Sequence, residues 1–462
     1  MAETAPRAWW IEALPAPGAW PFQPAGSGGA RAWLERHALV GRRLGLIAPN
    51  LPAMAQLIAA AARAGTTLVL FNRRLLPSEL AAQIAGSALD ACAVADGVDG
   101  PGTSPRLALP DCFTGEDDCP PHADRTAGLV VFTSGTSGPP KAARLPWATL
   151  RRAAEDACTH LALGRDDAWL ACLPLDHIGG ASIVLRAAVV GCRVRLRERF
   201  AADAVTSDLD GGEITGASLV PTMLHRLVAG RTRAWHPRLR TLLIGGGALA
   251  ADLATCCAAL GVRPAASYGL TEAASQVCTA RPGDATADGG VGTPLPGVEV
   301  MIVDPDAAGD GVIAVRGGHL FAGYEAQGDL VAPHPPGAWF TTGDLGRMGP
   351  TGLSVLGRHD EIIISGGEKV APDAIEAVLA QHPAVAAVAV CGLPDAEWGQ
   401  VVVAGLVAHG EPPTDDAFAA WLGGRLAGFR RPRRWRWLSD LPRTALGKPR
   451  RLALASLFAT SR

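Results

Sequence analysis

A loop rich in hydroxyl groups follows the apolar run VVF at residues 130–132. Gly135 and Gly138 allow positive φ angles, so successive backbone N–H groups can turn inward and form a concave anion site. Lys141 adds a charge suited to a polyphosphate. Hydroxyl donors come from Thr133, Ser134, Thr136 and Ser137. The pattern differs from G-x-x-x-x-G-K-[ST], because Ala142 follows the lysine, and predicts another kind of phosphate loop; a flexible Ser/Gly surface turn is the alternative.

Two later segments carry groups that suit the rest of a nucleotide. In SYGLTEAASQ, Tyr268 can stack on a base, Thr271 can contact phosphate and Glu272 can hold a magnesium ion between phosphates. A helix N-cap with an acidic first turn explains Thr271 and Glu272 equally well. In FTTGDLG, Asp344 is predicted in a Gly-flanked turn after a strand, where its carboxylate can accept both ribose hydroxyls; an Asx turn is the alternative.

The elements that must position these groups follow from the apolar pattern. Apolar runs alternate with Ala-rich amphipathic segments through the first two thirds, which predicts strand–helix–strand units, a mainly parallel sheet and an α/β fold class. From about residue 289, short strands between Gly, Pro and Asp predict a β-rich subdomain. A compact α+β tail follows. The expected division is a large N-terminal domain, residues 1–357, and a small C-terminal domain, residues 358–462.

The composition is that of an ordinary globular protein. Hydrophobic residues make up 48% and charged residues 19%, with a net charge of -2, so there is no bulk attraction to nucleic acid. The ten cysteines form no C-x-x-C pair, which predicts reduced thiols. The N-terminus has no basic segment followed by an apolar stretch, and no run of eighteen apolar residues occurs. We therefore expect a cytoplasmic protein without membrane insertion.

Five motifs occur together and in order: T-S-G-T-S-G-x-P-K, Y-G-x-T-E, T-G-D, G-R-x-D-x-I-I-x-S-G-G and P-R-T-x-x-G-K. From about residue 30 to 455 the chain resembles the adenylate-forming acyl-CoA ligases, a superfamily that includes acyl-CoA synthetases and carrier-loading adenylation domains. The resemblance implies a small C-terminal domain that rotates between two half-reactions. It also implies that ATP, Mg²⁺, CoA and a small carboxylic acid are used, and no nucleic acid.

The resemblance further implies roles for the motif residues in the first half-reaction. Glu272 would bind Mg²⁺, and Asp344 and Arg358 would bind the ribose. Lys448 would lie at the junction of the carboxylate and the α-phosphate. The remaining ATP contacts would be Thr133, Ser134, Gly135, Thr136, Ser137, Gly138, Lys141, Tyr268, Gly269 and Thr271.

In the second half-reaction the small domain would rotate about Asp360. Gly366 and Gly367 would then leave room for the pantetheine arm of CoA. The basic run RRPRRWRW, residues 430–437, indicates a solvated face, a contact with the phosphates of CoA or, because Arg and Trp interleave, a nucleic-acid patch.

The resemblance implies that the segment LPLDHIGGASIVLRAAVVGC forms one wall of the acyl pocket, with His177 at its mouth, where it would gate the route between adenylate and thiol. From the residues alone, a structural histidine is the preferred alternative. This segment, IGGGAL and IIISGGEKVAPDAIEAVL most resemble the branch of the superfamily that acts on o-succinylbenzoate in menaquinone synthesis. Because that acid carries two carboxylates and a ketone attached to the aromatic ring, a pocket that binds it needs polar anchors. The candidate acyl-pocket residues are His177, Ser182, Arg186, Gly247, Ser275 and Gln276. For Arg186, a position on a helix facing solvent is an equal alternative.

Several alternatives stay open from the sequence. Asp176 and Lys369 differ from the residues that are common at these positions in that branch. Another aryl acid or a medium-chain acid is therefore an alternative substrate. A carrier-loading adenylation enzyme shares every motif, but the chain has no G-x-[DH]-S segment, so its carrier would be a separate protein. A non-catalytic binding protein would be expected to lose Glu272 or Lys448, and both are present. A second copy of the chain, in a homodimer, is the remaining candidate partner.

Overall fold

The computed structural model describes residues 7–11, 13–14, 23–24, 27–98, 105–114, 126–133, 140–282, 284, 290–358, 361, 363–365, 368–370, 372–395, 398–423, 425–426, 428–443 and 449–459. Two eight-stranded sheets, a four-stranded sheet and a five-stranded sheet confirm the predicted α/β class. None of the helices in these ranges is long and apolar enough to cross a membrane.

The strands are given in chain order, first those that precede residue 298. They are β1 (Ala8–Ile11), β2 (Ala13–Leu14), β3 (Gln23–Pro24), β4 (Arg43–Ile47), β5 (Thr67–Leu70), β6 (Ala91–Ala95), β7 (Arg106–Leu109), β8 (Gly128–Phe132), β9 (Ala142–Pro146), β10 (Ala168–Ala171), β11 (Arg193–Arg197), β12 (Gly216–Leu219), β13 (Thr241–Ile244), β14 (Pro264–Tyr268), β15 (Cys278–Thr279) and β16 (Thr293–Pro294). The later strands are β17 (Val298–Val303), β18 (Gly311–Gly317), β19 (Gly323–Ala326), β20 (Asp329–Pro333), β21 (Phe340–Gly349), β22 (Gly352–Arg358), β23 (Ile363–Ser365), β24 (Glu368–Val370), β25 (Val385–Asp395), β26 (Gly399–Ala408) and β27 (Arg434–Trp437).

The α-helices follow the Ala-rich segments of the sequence. They are α1 (Ser27–Arg36), α2 (Pro52–Ala64), α3 (Pro77–Ala85), α4 (Trp147–Leu161), α5 (Ile178–Val190), α6 (Ala202–Asp210), α7 (Pro221–Val228), α8 (Ala251–Ala259), α9 (Pro372–Leu379), α10 (Asp415–Gly423) and α11 (Arg451–Ala459). Helix α2 begins with a proline and ends at Gly65, whose φ of 63° terminates the helix in a left-handed cap.

The two large sheets place the ends of several strands where the motifs occur. The first has the order β20-β19-β9-β8-β5-β4-β6-β7, and its antiparallel β8–β9 pair brackets the predicted phosphate loop. The second has the order β1-β11-β10-β12-β13-β14-β15-β16, with β11 to β14 parallel. Parallel strands place their carboxyl ends at one edge, so the segments after β13 and β14 are neighbours there.

The largest core cluster joins the two sheets through α2, α4 and α5. It includes Leu57 from α2, Leu150 from α4 and Leu185 from α5, together with the strand residues Leu68 and Trp169. Each of these side chains is at most 2% exposed. A pocket at this junction therefore has walls that are fixed by packing rather than by loops.

The third sheet, β17-β18-β21-β22, is antiparallel and confirms the β-rich part of the prediction. The last sheet has the order β24-β23-β26-β25, with β27 beside β26. Its two core clusters are drawn entirely from residues 363–458. Half of the basic run forms β27, where the rings of Trp435 and Trp437 lie 5.3 and 5.4 Å from that of Phe418. These tryptophans are half-buried and pack against the core of this sheet.

Candidate active site

The base of the predicted phosphate loop is a short hairpin end. The Thr133 N–H donates to the Lys141 carbonyl at 2.9 Å, and the Lys141 N–H donates to Thr133 Oγ1 at 3.3 Å. The exposed Lys141 ammonium lies 5.1 Å from the centre of the Tyr324 ring. The other loop residues predicted to bind phosphate lie outside the described residues; they are Ser134, Gly135, Thr136, Ser137 and Gly138.

The structure brings together three of the residues predicted to bind the nucleoside. Tyr268 Oη donates to Asp344 Oδ2 at 2.6 Å, and Arg358 Nη1 lies 3.4 Å from Asp344 Oδ1. Asp344 lies inside β21, directly opposite Arg358 on β22, and not in a turn after a strand as the sequence suggested. The Gly-flanked pattern instead accompanies a β-bulge at Leu345 and Gly346. Burial and the Asp344 charge raise the pKa of Tyr268, so its hydroxyl remains a donor.

Glu272 lies in a short 3₁₀ helix, Thr271–Ala273, rather than in the first turn of an α-helix. Its Oε1 accepts a hydrogen bond of 2.6 Å from Tyr324 Oη. In the described part of the chain, no group of three His, Cys, Asp or Glu side chains could hold a metal ion. One carboxylate suits Mg²⁺ bound mainly through substrate phosphates and water, so the residues present fit that ion.

The turn after this helix has an unusual backbone. Ser275 has a φ of 97° and Ala274 a φ of 53°, although neither is glycine. A Cβ on Gly269 would lie 1.4 Å from the Ser275 carbonyl oxygen, so only glycine fits there. Gly269 therefore allows the strained turn to approach the end of β14, and this turn carries two of the predicted acyl-pocket residues.

A buried cation that has no acidic partner among the described residues lies beside the predicted acyl pocket. Arg186 is 2% exposed, and its guanidinium donates at 3.1 Å to each of Ser182 Oγ, Gln276 Oε1 and Ser218 Oγ. Its Nε–H has no acceptor among the described residues, and no ion pair in those ranges includes it. Burial lowers the pKa of this guanidinium, yet an arginine stays charged. Three of these residues, Ser182, Arg186 and Gln276, line one cavity with alanines of α4.

The other acyl-pocket candidates are less tightly grouped. His177 precedes α5, and its Nε2 lies 3.3 Å from Asn72 Nδ2 just after β5. Burial raises the pKa of the adjacent Asp176. Gly247 lies in the exposed turn after β13. The predicted catalytic lysine, hinge and CoA-facing residues lie outside the described residues; they are Lys448, Asp360, Gly366 and Gly367.

Sequence reasoning missed two residues of this site, Tyr324 and Asn72, and left Arg186 open between pocket and solvent. The chain has only two tyrosines, Tyr268 and Tyr324, and both hydroxyls donate to a predicted ATP-site carboxylate. It also has only three lysines among 42 lysines and arginines, and two of them are Lys141 and Lys448. The scarcity of tyrosine and lysine was therefore the feature of the sequence that could have pointed to the tyrosines and lysines of this site.

The fold and the family matches together are those of an adenylate-forming enzyme. The chain belongs to the AMP-binding enzyme family: the model of the AMP-binding enzyme matches residues 30–325, and that of its C-terminal domain matches residues 374–448. This result confirms the resemblance seen in the motifs.

Within the family, the chain is similar to 2-succinylbenzoate–CoA ligases. It is 34% identical to the ligase of Listeria monocytogenes strain EGD-e over 86% of this chain and 84% of that one. It is also 34% identical to the ligase of Geobacillus kaustophilus strain HTA426 over 93% and 91%.

Among solved structures, the Bacillus subtilis o-succinylbenzoate CoA synthetase in complex with the acyl-adenylate intermediate has a TM-score of 0.83 at 29% identity, covering 94% of this chain and 93% of that one. The same enzyme in complex with ATP and magnesium also has a TM-score of 0.83, covering 94% of each chain.

Proposed function

We propose that this protein joins o-succinylbenzoate to CoA at the expense of ATP, through an acyl-adenylate, in menaquinone synthesis. The similarity to 2-succinylbenzoate–CoA ligases supports the reaction. The observation that carries the choice of acid is Arg186, a cation buried beside Ser182 and Gln276 with no carboxylate partner in the described ranges. A buried charge is costly unless it is paired, so a dicarboxylic substrate would supply what the fold leaves out.

The acid has two chemically different carboxylates. We assign the ring carboxylate to Arg186, whose planar fork of donors suits a carboxylate. The aliphatic carboxylate then remains free to react. Benzoate or a medium-chain acid would leave either the Arg186 charge or the reacting group without a partner, which disfavours both as substrates.

In the first half-reaction an oxygen of the aliphatic carboxylate attacks the α-phosphorus of ATP, and the bond to the β-phosphate breaks, releasing pyrophosphate. Asp344, Arg358 and Tyr268 hold the nucleoside, while Lys141 and the Thr133–Lys141 loop hold the phosphates. A Mg²⁺ held by Glu272 neutralises phosphate charge when bound. Lys448 bridges the two reacting anions, which lowers the barrier by positioning and electrostatics.

In the second half-reaction the CoA thiol sulfur attacks the acyl carbon, the bond to AMP breaks, and the thiol proton is released. We propose that residues 358–462 form a domain that turns about Asp360 relative to residues 1–357, so that Lys448 leaves and the Gly366–Gly367 segment admits pantetheine. His177, placed before α5, controls the passage between adenylate and thiol. These water-soluble substrates are consistent with action in the cytoplasm.

A panel of acids tests the proposal. We would measure pyrophosphate, AMP and thioester formation with MgATP for o-succinylbenzoate, benzoate, hexanoate and several amino acids, with either CoA or a phosphopantetheine-bearing carrier protein as the acceptor. Turnover of o-succinylbenzoate alone is expected. Preference for another acid would contradict the assigned substrate, and transfer to a carrier protein but not to CoA would contradict the assigned acceptor.

A further inference from the structure

Tyr324 contacts two groups of opposite charge that belong to the phosphate end of the site. Its hydroxyl donates to Glu272 Oε1 at 2.6 Å, and its ring faces the Lys141 ammonium at 5.1 Å from the ring centre. None of the motifs includes this tyrosine, and nothing in the reaction scheme above requires it. It is nonetheless one of only two tyrosines among 462 residues, whereas the chain has 12 tryptophans and 10 phenylalanines.

The strand that carries Tyr324 is held firmly in place. The next residue, Glu325, is 6% exposed and accepts from Arg43 Nη2 at 2.5 Å and Arg144 Nε at 2.6 Å. Phe321 packs edge-on against the Tyr324 ring with centroids 4.9 Å apart. The backbone of β19 pairs with β9, where Tyr324 lies opposite Ala143, two residues after Lys141. The position of the hydroxyl is therefore fixed by packing and not by Glu272 alone.

The contacts of Tyr324 bear on how a site for a metal–polyphosphate complex keeps its charged residues available. A lysine and a glutamate that must bind the phosphates and the metal can neutralise each other by pairing when no ligand is bound. In the described part of the chain Lys141 has no ion pair, and Glu272 accepts from a neutral hydroxyl instead. The ring attracts the ammonium without neutralising it, and the hydroxyl occupies only one of the two carboxylate oxygens.

We propose that Tyr324 is a positioning residue for the MgATP complex: it keeps Glu272 and Lys141 apart and orients Glu272 toward the metal. The inference rests on the proposed function. Removing the hydroxyl should weaken the metal-dependent part of ATP binding, because hydrogen-bond partners of metal ligands typically contribute 10- to 100-fold to metal affinity. Removing the ring should also weaken metal-free ATP binding, since Lys141 would then be free to pair with Glu272.

Tyr324→Phe and its matched control Tyr268→Phe test this directly, because each removes a hydrogen bond of 2.6 Å to a site carboxylate. The measurement is ATP affinity by titration calorimetry in excess Mg²⁺ and in EDTA. For Tyr324→Phe we expect about a tenfold loss with Mg²⁺, or 1.4 kcal/mol, and little change in EDTA. For Tyr268→Phe we expect a loss of ATP affinity that is equal in excess Mg²⁺ and in EDTA. Tyr324→Leu should lose affinity under both.

A second readout avoids turnover and tests the orientation itself. Protein labelled with 3-fluorotyrosine should give two ¹⁹F resonances, because the chain has two tyrosines. Adding Mg²⁺ to the ATP complex should shift the Tyr324 signal more than the Tyr268 signal. An equal loss for Tyr324→Phe with and without Mg²⁺, or no loss, would overturn the inference while leaving the proposed function intact. Failure of the wild-type protein to bind MgATP would refute both.

Discussion

Substitution of Arg186 by methionine should separate substrate recognition from stability. The side chain is 2% exposed, and the three hydrogen bonds that it donates to described residues, each of 3.1 Å, all go to neutral acceptors. An uncompensated buried charge costs several kcal/mol, whereas loss of the guanidinium leaves mainly Gln276 Oε1 short of a donor, at about 1–3 kcal/mol. Arg186→Met should therefore fold with a thermal stability equal to or above that of the wild type.

The same variant should lose its preference for the dicarboxylic substrate. Two charge-assisted hydrogen bonds to the ring carboxylate contribute about 3 kcal/mol, which is roughly a 100-fold loss of kcat/KM for o-succinylbenzoate. The matched substrate is 4-oxo-4-phenylbutanoate, which keeps the ketone and the aliphatic carboxylate but lacks the ring carboxylate.

The assay is pyrophosphate release with each acid and each enzyme, alongside thermal unfolding. The wild type should prefer o-succinylbenzoate by about 100-fold, and Arg186→Met should remove most of that preference, with little change for the matched substrate. An unchanged preference in a variant that unfolds at a much lower temperature would refute the assignment, because it would make Arg186 a structural residue.

Three other predictions concern stability. Arg451 donates from Nε to Glu361 at 2.8 Å and also contacts Asp373 and Glu376, so Arg451→Met should lower the free energy of unfolding by about 3–5 kcal/mol in denaturant titrations; a loss below about 1 kcal/mol would contradict this. Ser275→Gly should raise the melting temperature, since relief of a φ of 97° is worth about 1–2 kcal/mol, while weakening o-succinylbenzoate binding; a lower melting temperature would show that the turn is unstrained. Burial lowers the pKa of His160, whose Nε2 lies 2.8 Å from the Thr279 carbonyl oxygen. The contribution of His160 to stability should therefore be complete above about pH 6.5 and should decline as the pH falls below that value, by at most about 1.4 kcal/mol per pH unit. His160→Gln should make the free energy of unfolding, measured from pH 5 to 8, depend less steeply on pH.

The fold was largely predictable because its signals are local. Short β-branched runs between Ala-rich segments became parallel strands and helices, and the change of pattern near residue 289 became an antiparallel sheet. The position of Asp344 was not predictable, since its flanking glycines are typical of a turn, and only pairing with β22 extends the strand through them. Local pattern does not encode which strand a segment will meet.

The site was predictable where motifs carry it and not where distant side chains complete it. Tyr324 reaches Glu272 across 52 positions of sequence, and Arg186 reaches Gln276 across 90. The burial of Arg186 depends on the packing of α5 against the second sheet and the turn at Ser275, which no periodicity in its own helix reveals. The signal that the sequence did contain was the scarcity of two residue types. Nearly all of the positively charged residues are arginines rather than lysines, and only two residues are tyrosines.

A single-turnover experiment without CoA tests most directly whether the protein forms an acyl-adenylate before CoA reacts. Enzyme in excess over o-succinylbenzoate would be mixed with MgATP, and pyrophosphate and bound nucleotide would be followed by quenched-flow and mass spectrometry. We expect one equivalent of pyrophosphate and an enzyme-bound adenylate of o-succinylbenzoate, which CoA then converts to the thioester and AMP. Release of ADP and phosphate, or pyrophosphate that forms only once CoA is present, would contradict this expectation.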